Sequence, residues 1–337
     1  MKHEISNLPV VYILATGGTI AGRAASPLQT GGYRAGELGV EDLTAAIPGL
    51  NQIAQIRSEQ ICNVASPAIT IDIWLQLARR INEILHRQPE VAGVVITHGT
   101  DSLEETAYFL NLVVKSNKPV VVVGSMRPAT SISPDGPMNL VNAIHVAAAP
   151  EARGKGVLVV MNDEIFAARD VSKTHVSQLH TFRSYDLGAL GNISNGVVSF
   201  YRQPLRCHTA STEFSVEGLP TLPRVDIVYS YLGADGALVD AAVAAGARGI
   251  VLAGMGQGGT TRSQGEALAR AGQQGVFVVR ASRTGTGRIL PPRPEWIERG
   301  AAITADNLIP QKARILLMLA LTKTNNPQEI QRMFNSY

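Results

Sequence analysis

The chain has 337 residues, 45% of them hydrophobic and 17% charged, with a formal net charge of +3; that is enough material for two domains with separate cores. The mild charge, the absence of any Lys or Arg run, and the lack of ~18 uninterrupted apolar residues argue against nucleic-acid, membrane-surface and membrane-spanning roles. Met1–Pro9 lacks the pattern of a secretory leader, and Cys62 and Cys207 fit neither a disulfide framework nor a zinc site, so a cytoplasmic location is expected, or a periplasmic one where a leader has been removed.

Val10–Leu14 reads as a strand that stops at Ala15-Thr16-Gly17-Gly18-Thr19, where paired glycines free backbone N–H groups to face a ligand. Arg23-Ala24 stands where a phosphate loop needs Lys-Ser or Lys-Thr, which weighs against a nucleotide loop. Residues 23–40 have no period and many small residues, the character of a lid, and Tyr33 lies within them. Gln60–Ala65 is a second strand ending at Ser66-Pro67, after which Thr70 caps a helix with Ile71, Trp74, Leu75, Ala78, Ile81 and Leu85 on its buried face. Val94–Ile96 is a buried strand running into Thr97-His98-Gly99-Thr100-Asp101-Ser102, and Ser102 with Glu105 forms a capping box for the helix that follows. Pro119–Gly124 ends in Ser125-Met126-Arg127-Pro128, Pro137 opens another helix, and Gly156–Met161 makes a fifth strand. Arg169–Thr174 contains Lys173, which alone would pass for a surface lysine, and Gly196–Tyr201 closes the first half as a strand.

Strands separated by helices predict an α/β fold: a larger N-terminal domain whose mainly parallel sheet is flanked by helices, over residues 1–201. Residues 202–224, with Pro204, Gly218, Pro220 and Pro223, have the composition of a linker. Residues 225–337 then form a smaller α/β domain with its own parallel sheet, from strands at 225–229, 249–253 and 276–279 and a closing helix at 313–321. Gly254-Met255-Gly256-Gln257-Gly258-Gly259 matches a dinucleotide turn, with Ser263 and Glu266 capping the next helix. The ribose-holding acid expected at the end of the following strand is absent, Arg280 and Arg283 standing there instead.

Open α/β sheets bind ligands at the carboxyl ends of their strands. Here four such ends carry hydroxyls: Thr16 and Thr19, Ser66, Thr97 and Thr100, and Ser125. If Thr19, Thr100, Asp101 and Lys173 share a pocket, a threonine becomes a nucleophile once a neighbouring group takes its proton, and Asp101 orients that group or binds a substrate cation. Glycine-turn N–H groups could hold an oxyanion. That chemistry is acyl transfer to water from a small polar amide or ester. The same strand ends would also serve a non-catalytic two-domain binder of an amino acid, and the second glycine turn a dinucleotide-dependent oxidoreductase.

The segments Thr16–Gly22 and Ile96–Ser102 resemble the two signature segments of the bacterial-type L-asparaginase/glutaminase family, nearest its type II branch. Gly124–Pro128, Arg169–Thr174 and Asn307–Arg314 resemble the family pattern too, in order and spacing. The resemblance implies hydrolysis of L-asparagine to L-aspartate and ammonia through a threonine acyl-enzyme, with glutaminase side activity. The nucleophile falls on Thr19 with Tyr33 as partner, and a threonine–aspartate–lysine group on Thr100, Asp101 and Lys173. Ser66 and Asp101 fall on the groups that hold the substrate α-carboxylate and α-ammonium, and Ser125 beside the side-chain amide. It implies no metal and no organic cofactor, a small-molecule amide as partner, and a homotetramer of intimate dimers in which a neighbour's small domain completes each site.

The chain departs from the pattern at several points. Pro67 stands where relatives place a Gln or Glu that accepts from the α-ammonium, and Gly259 where a neighbour lends an Asn or Ser. The neighbour's glutamate is expected at Glu295, and the disulfide of periplasmic relatives is missing, with Ile84 or Leu85 and Ser116 near its positions. Thinned α-ammonium contacts imply relaxed selectivity for a free amino acid.

Overall fold

The computed structural model describes residues 8–292, 294 and 303–337. The chain divides into two compact units between Glu217 and Gly218. In the first, strands β1 (Val10–Gly17), β2 (Gln55–Val64), β3 (Val91–Thr97), β4 (Val120–Val123) and β5 (Val157–Met161) are joined by helices. They continue into β6 (Glu164–Ala167), a small ribbon of β7 (Ser172–Lys173) and β8 (Phe182–Arg183), then β9 (Gly191–Ser194) and β10 (Val197–Phe200). The main sheet has eight strands in the order β10-β9-β6-β5-β4-β3-β1-β2.

From β2 to β5 every pairing is parallel, and β3, β4 and β5 are buried along nearly their whole length. Continuous Val-rich runs of this kind suit a strand covered on both faces. Helix Gly136–Ala148 lies on β3 and β4, and Leu103–Val113 lies on β5. Helix Ile71–Arg87 is capped by Thr70, whose hydroxyl accepts from Ile73 N–H. Trp74 of this helix stacks on Phe109 at 5.0 Å between ring centroids, worth about 1 kcal/mol beyond the area it buries.

The sheet is mainly parallel as expected, and its far side is antiparallel: β5 pairs with β6, β6 with β9 and β9 with β10. Its cause is local. Asn162 and Asp163 have φ of 51° and 64°, and Asn195 and Gly196 have 50° and 78°. Two left-handed residues in succession make the tight turn that matches the twist of a hairpin. Gly196 is therefore a turn residue, and the strand expected from 196 begins at Val197.

Other boundaries shift for physical reasons as well. β2 starts at Gln55, before the expected 60, as a half-exposed edge strand whose Arg57 and Glu59 pair with Glu90 and Arg80. Ser102 does not cap its helix; its hydroxyl donates to the Ser66 carbonyl at 2.8 Å. Residues up to 217 cluster with this first unit, where Phe214 and Val216 are buried.

The second unit carries a four-stranded parallel sheet in the order β11 (Val225–Tyr229), β12 (Gly249–Gly254), β13 (Phe277–Ser282), β14 (Ile303–Thr304). Helices Ala237–Ala244, Arg262–Gln273 and Pro310–Ala320 pack against its strands, and Val239, Ile250, Leu252, Leu268 and Val278 centre a core there. Thr261, not Ser263, caps the helix after the glycine turn by accepting from Gln264 N–H. Among the described residues no helix is long and apolar enough to cross a membrane.

Candidate active site

Because β1 to β4 run parallel, the turns that follow them emerge at one edge of the sheet. Ala15 pairs with Thr97, Thr97 with Val123, and Gly17 with Val64, so the register brings four turns level. Thr16 Oγ1 donates to the Thr97 carbonyl at 2.9 Å, tying the first turn to the third.

Two glycines allow these turns to touch. Gly17 and Gly18 have φ of 99° and 83°, in the region that favours glycine. A Cβ on Gly18 would lie 2.3 Å from the backbone N and Cα of Gly99, and one on Gly99 would lie 2.8 Å from Ser66. The first and third turns are thus packed backbone against backbone, with the Ser66 side chain of the second turn lying directly against Gly99.

Thr19 sits just beyond this contact, largely buried, with Oγ1 2.6 Å from the Tyr33 hydroxyl. Tyr33 comes from the loop expected to be a lid. That loop is fastened to the Thr19 turn by Gly36 N–H donating to the Gly18 carbonyl and by paired bonds between Arg23 and Arg34.

The second group forms around Lys173 at the end of the β7 ribbon. Its Nζ donates to Thr100 Oγ1 at 2.8 Å and to Asp101 Oδ1 at 2.6 Å. Its backbone N–H donates to the buried Glu104 carboxylate, which anchors the ribbon to the helix after β3. Asp101 N–H donates to Ser66 Oγ at 3.1 Å. Threonine, aspartate, lysine and serine from two separate turns and the ribbon therefore form one bonded cluster.

Below it lies a wholly buried imidazole. His98 Nδ1 is 2.7 Å from the Gly99 carbonyl, which can only accept, so this nitrogen carries the hydrogen. Burial pushes the ring's pKa down to about 4, so the ring is neutral and Nε2 accepts from the Thr106 hydroxyl at 2.9 Å. Trp74 Nε1 extends this series of bonds by donating to Thr106 Oγ1 at 2.8 Å.

A cavity of about 650 Å³ opens over these groups and is lined by Thr19, Tyr33, Ser66, Pro67, Thr100, Asp101 and Lys173. Ser125 is not among its lining residues: it is fully buried, and its hydroxyl donates to the Arg127 carbonyl at 2.8 Å. Glu295 lies outside the described residues. Met126 and Arg127 do line the cavity, in a turn fixed by backbone N–H donation to the Asp135 carboxylate. Thr30 from the loop that carries Tyr33, and Val176 and Ser177 beyond Lys173, also line it. Nothing in the pattern around Val176 marked it, because loop residues carry no period. Among the described residues no group of three or more His, Cys, Asp or Glu side chains is arranged to hold a metal.

A parallel α/β unit that gathers a Thr–Tyr pair and a Thr–Asp–Lys cluster at its strand ends, followed by a second parallel unit, is the architecture of a defined class. The family model for the asparaginase N-terminal region matches residues 10–206, and that for the glutaminase/asparaginase C-terminal domain matches residues 224–334. The chain belongs to the asparaginase family. It is 52% identical to L-asparaginase 2 of Bacillus subtilis, over 99% of this chain and 88% of the relative. It is 46% identical to the glutaminase-asparaginase of Pseudomonas fluorescens, over 100% of this chain and 92% of the relative. The crystal structure of a probable cytoplasmic L-asparaginase from Campylobacter jejuni superposes with a TM-score of 0.95 at 45% identity, covering 98% of this chain and 100% of that one.

Proposed function

We propose that the protein is an amidohydrolase that converts L-asparagine to L-aspartate and ammonia, with glutamine as a second substrate. The observation that carries this is the 2.6 Å contact between Thr19 and Tyr33 on the same cavity as Lys173, itself bonded to Thr100 and Asp101. Thr19 Oγ1 attacks the side-chain amide carbon while its proton passes to the Tyr33 oxygen. Backbone N–H groups of the glycine turns stabilise the oxyanion. The C–N bond breaks, ammonia leaves with the returned proton, and an ester on Thr19 remains. A water held by Thr100, its proton relayed through Lys173, then attacks the ester and restores the hydroxyl.

Ser66 and Asp101 hold the α-carboxylate and α-ammonium, Pro67 borders them, and Ser125 acts from beneath by supporting the Met126–Arg127 turn. The reaction as written needs water alone. The Pseudomonas relative's name supports the second amide, and the Campylobacter relative's name supports a cytoplasmic location. By its resemblance to the family, the protein is a homotetramer of intimate dimers, with a catalytic domain over 1–201, a linker over 202–224 and a domain over 225–337 that lends Glu295 to a neighbour's site.

Ammonia release from L-asparagine tests this. Thr19→Ala is expected to lower it by about a thousandfold or more while asparagine binding persists. A variant that keeps its turnover would remove Thr19 as nucleophile. A wild-type protein that binds asparagine without releasing ammonia would be a binder.

A further inference from the structure

One acid next to the Lys173 cluster takes no part in the chemistry above. Glu104 is 6% exposed and is the second residue of the helix Leu103–Val113. A carboxylate is costly to bury unless its surroundings compensate it. The helix N-terminus favours its charge, and the Lys173 backbone N–H donates to it.

That N–H is one the ribbon itself cannot satisfy. Thr174 N–H donates to the Thr181 carbonyl at 2.8 Å, and in an antiparallel pair the N–H one residue earlier then points away from the partner strand. An outward N–H taken from water needs an acceptor from elsewhere, and Glu104 supplies it. The short stretch Thr100–Glu104 therefore holds Lys173 at both ends. Glu104 fixes its main chain, while Thr100 Oγ1 and Asp101 Oδ1 accept from its ammonium at 2.8 and 2.6 Å. A lysine held only at its tip reaches that point through many rotamers of its flexible stem; fixing the main chain as well selects one placement. All of these groups lie within the first unit, so the arrangement forms without a neighbouring subunit.

We infer that Glu104 is a positioning residue for the second half of the reaction: by fixing the Lys173 main chain it sets where the ammonium meets Thr100, and so how fast water cleaves the Thr19 ester. This rests on the amidohydrolase reading above. In that step the water oxygen bonds to the ester carbon and the ester C–O bond breaks. One water proton is relayed through Thr100 and Lys173 to Thr19 Oγ1, and the other leaves as the new carboxylate ionises. The first half does not pass through the ribbon. Thr19 and Tyr33 meet directly at 2.6 Å, and the Tyr33 loop is tied to the Thr19 turn by Gly36 and by Arg23 with Arg34. A Lys173 displaced by about 1 Å therefore slows water attack by about a hundredfold and leaves ammonia loss nearly intact.

The experiment takes full-length wild type, Glu104→Ala and Glu104→Gln and measures kcat and KM for L-asparagine, together with the ammonia released in the first turnover after rapid mixing. When the second step alone slows, kcat and KM fall together and kcat/KM holds, because that ratio reports only the steps through ammonia loss. Glu104→Ala is expected to lower kcat at least about tenfold with KM following it, kcat/KM staying within about threefold. Its ammonia should appear in a burst of about one per subunit, and acid quenching should trap the aspartyl ester on Thr19 as a gain in mass. Glu104→Gln keeps an acceptor for the Lys173 N–H, so its kcat should fall only about three- to tenfold, with the same burst. A fall in kcat without the fall in KM or without the burst, wild-type kcat in Glu104→Ala, or a glutamine variant no better than a folded alanine variant overturns the inference and leaves the amidohydrolase reading intact. Where the alanine variant does not fold, unchanged kcat in Glu104→Gln overturns it as well. A wild-type protein that releases no ammonia overturns both.

Discussion

His98 shows what burial does to one titratable group. Its ring is fully buried, with Nδ1–H donating to Gly99 and Nε2 accepting from Thr106, and the neutral form is the one those partners require. Folded, it takes a proton only near pH 4, against 6.5 when solvated. As pH falls through that window the unfolded protein binds a proton that the folded protein refuses, so stability declines, by up to ~3 kcal/mol from this ring. His145 and His208, also shifted down by burial, act in the same direction. Denaturant unfolding at about pH 7.5 and about pH 5 should therefore show wild type losing ~2 kcal/mol more than His98→Asn. Equal losses in the two proteins would clear the imidazole of responsibility.

Among elements, the turn after β1 is the least tolerant. Gly18 combines φ of 83° with a neighbour that cannot move, since its added Cβ would meet Gly99 backbone rather than a flexible side chain. Gly18→Ala should cost about 2 kcal/mol or more and lower kcat at least tenfold, because the two threonine turns must separate. Thermal unfolding and ammonia release measure the two effects; an alanine variant with wild-type turnover would show that the turns have slack. The elements that could be read from sequence are those whose signal is local. β3, β4 and β5 stand out because burial on both faces leaves an unbroken apolar run. The edge strand β2 carries charges that pair across the surface, which hid its first half. Ser102 satisfies a capping pattern, but a carbonyl 36 residues away, on Ser66, takes its hydroxyl instead. Asn195-Gly196 was a hairpin signal in plain sight, submerged by the valines that follow it.

At the scale of the whole molecule, much of the site was legible because parallel topology sends the ends of β1 to β4 to one edge. Thr19, Ser66, Thr100 and Asp101 follow from that rule. Ser125 does not, since a strand-end hydroxyl can turn toward the core, as this one does. Tyr33 and Lys173 carry little local signal, one lying in an aperiodic loop and the other passing for a surface lysine, and the resemblance to the family is what gave them their expected roles. Lys173 lies outside the main sheet, on a ribbon of two residues per strand, paired Ser172 to Arg183 and Lys173 to Phe182.

That slender attachment separates the fate of activity from the fate of the fold. Releasing the ribbon breaks a short ladder and a few side-chain bonds, and leaves the eight-stranded sheet whole, so its opening costs less than global unfolding. In a urea titration, ammonia production should vanish while far-UV ellipticity is still native, and dilution back into buffer should restore it at once. Coincident loss of the two signals would mean that Lys173 leaves only when everything does.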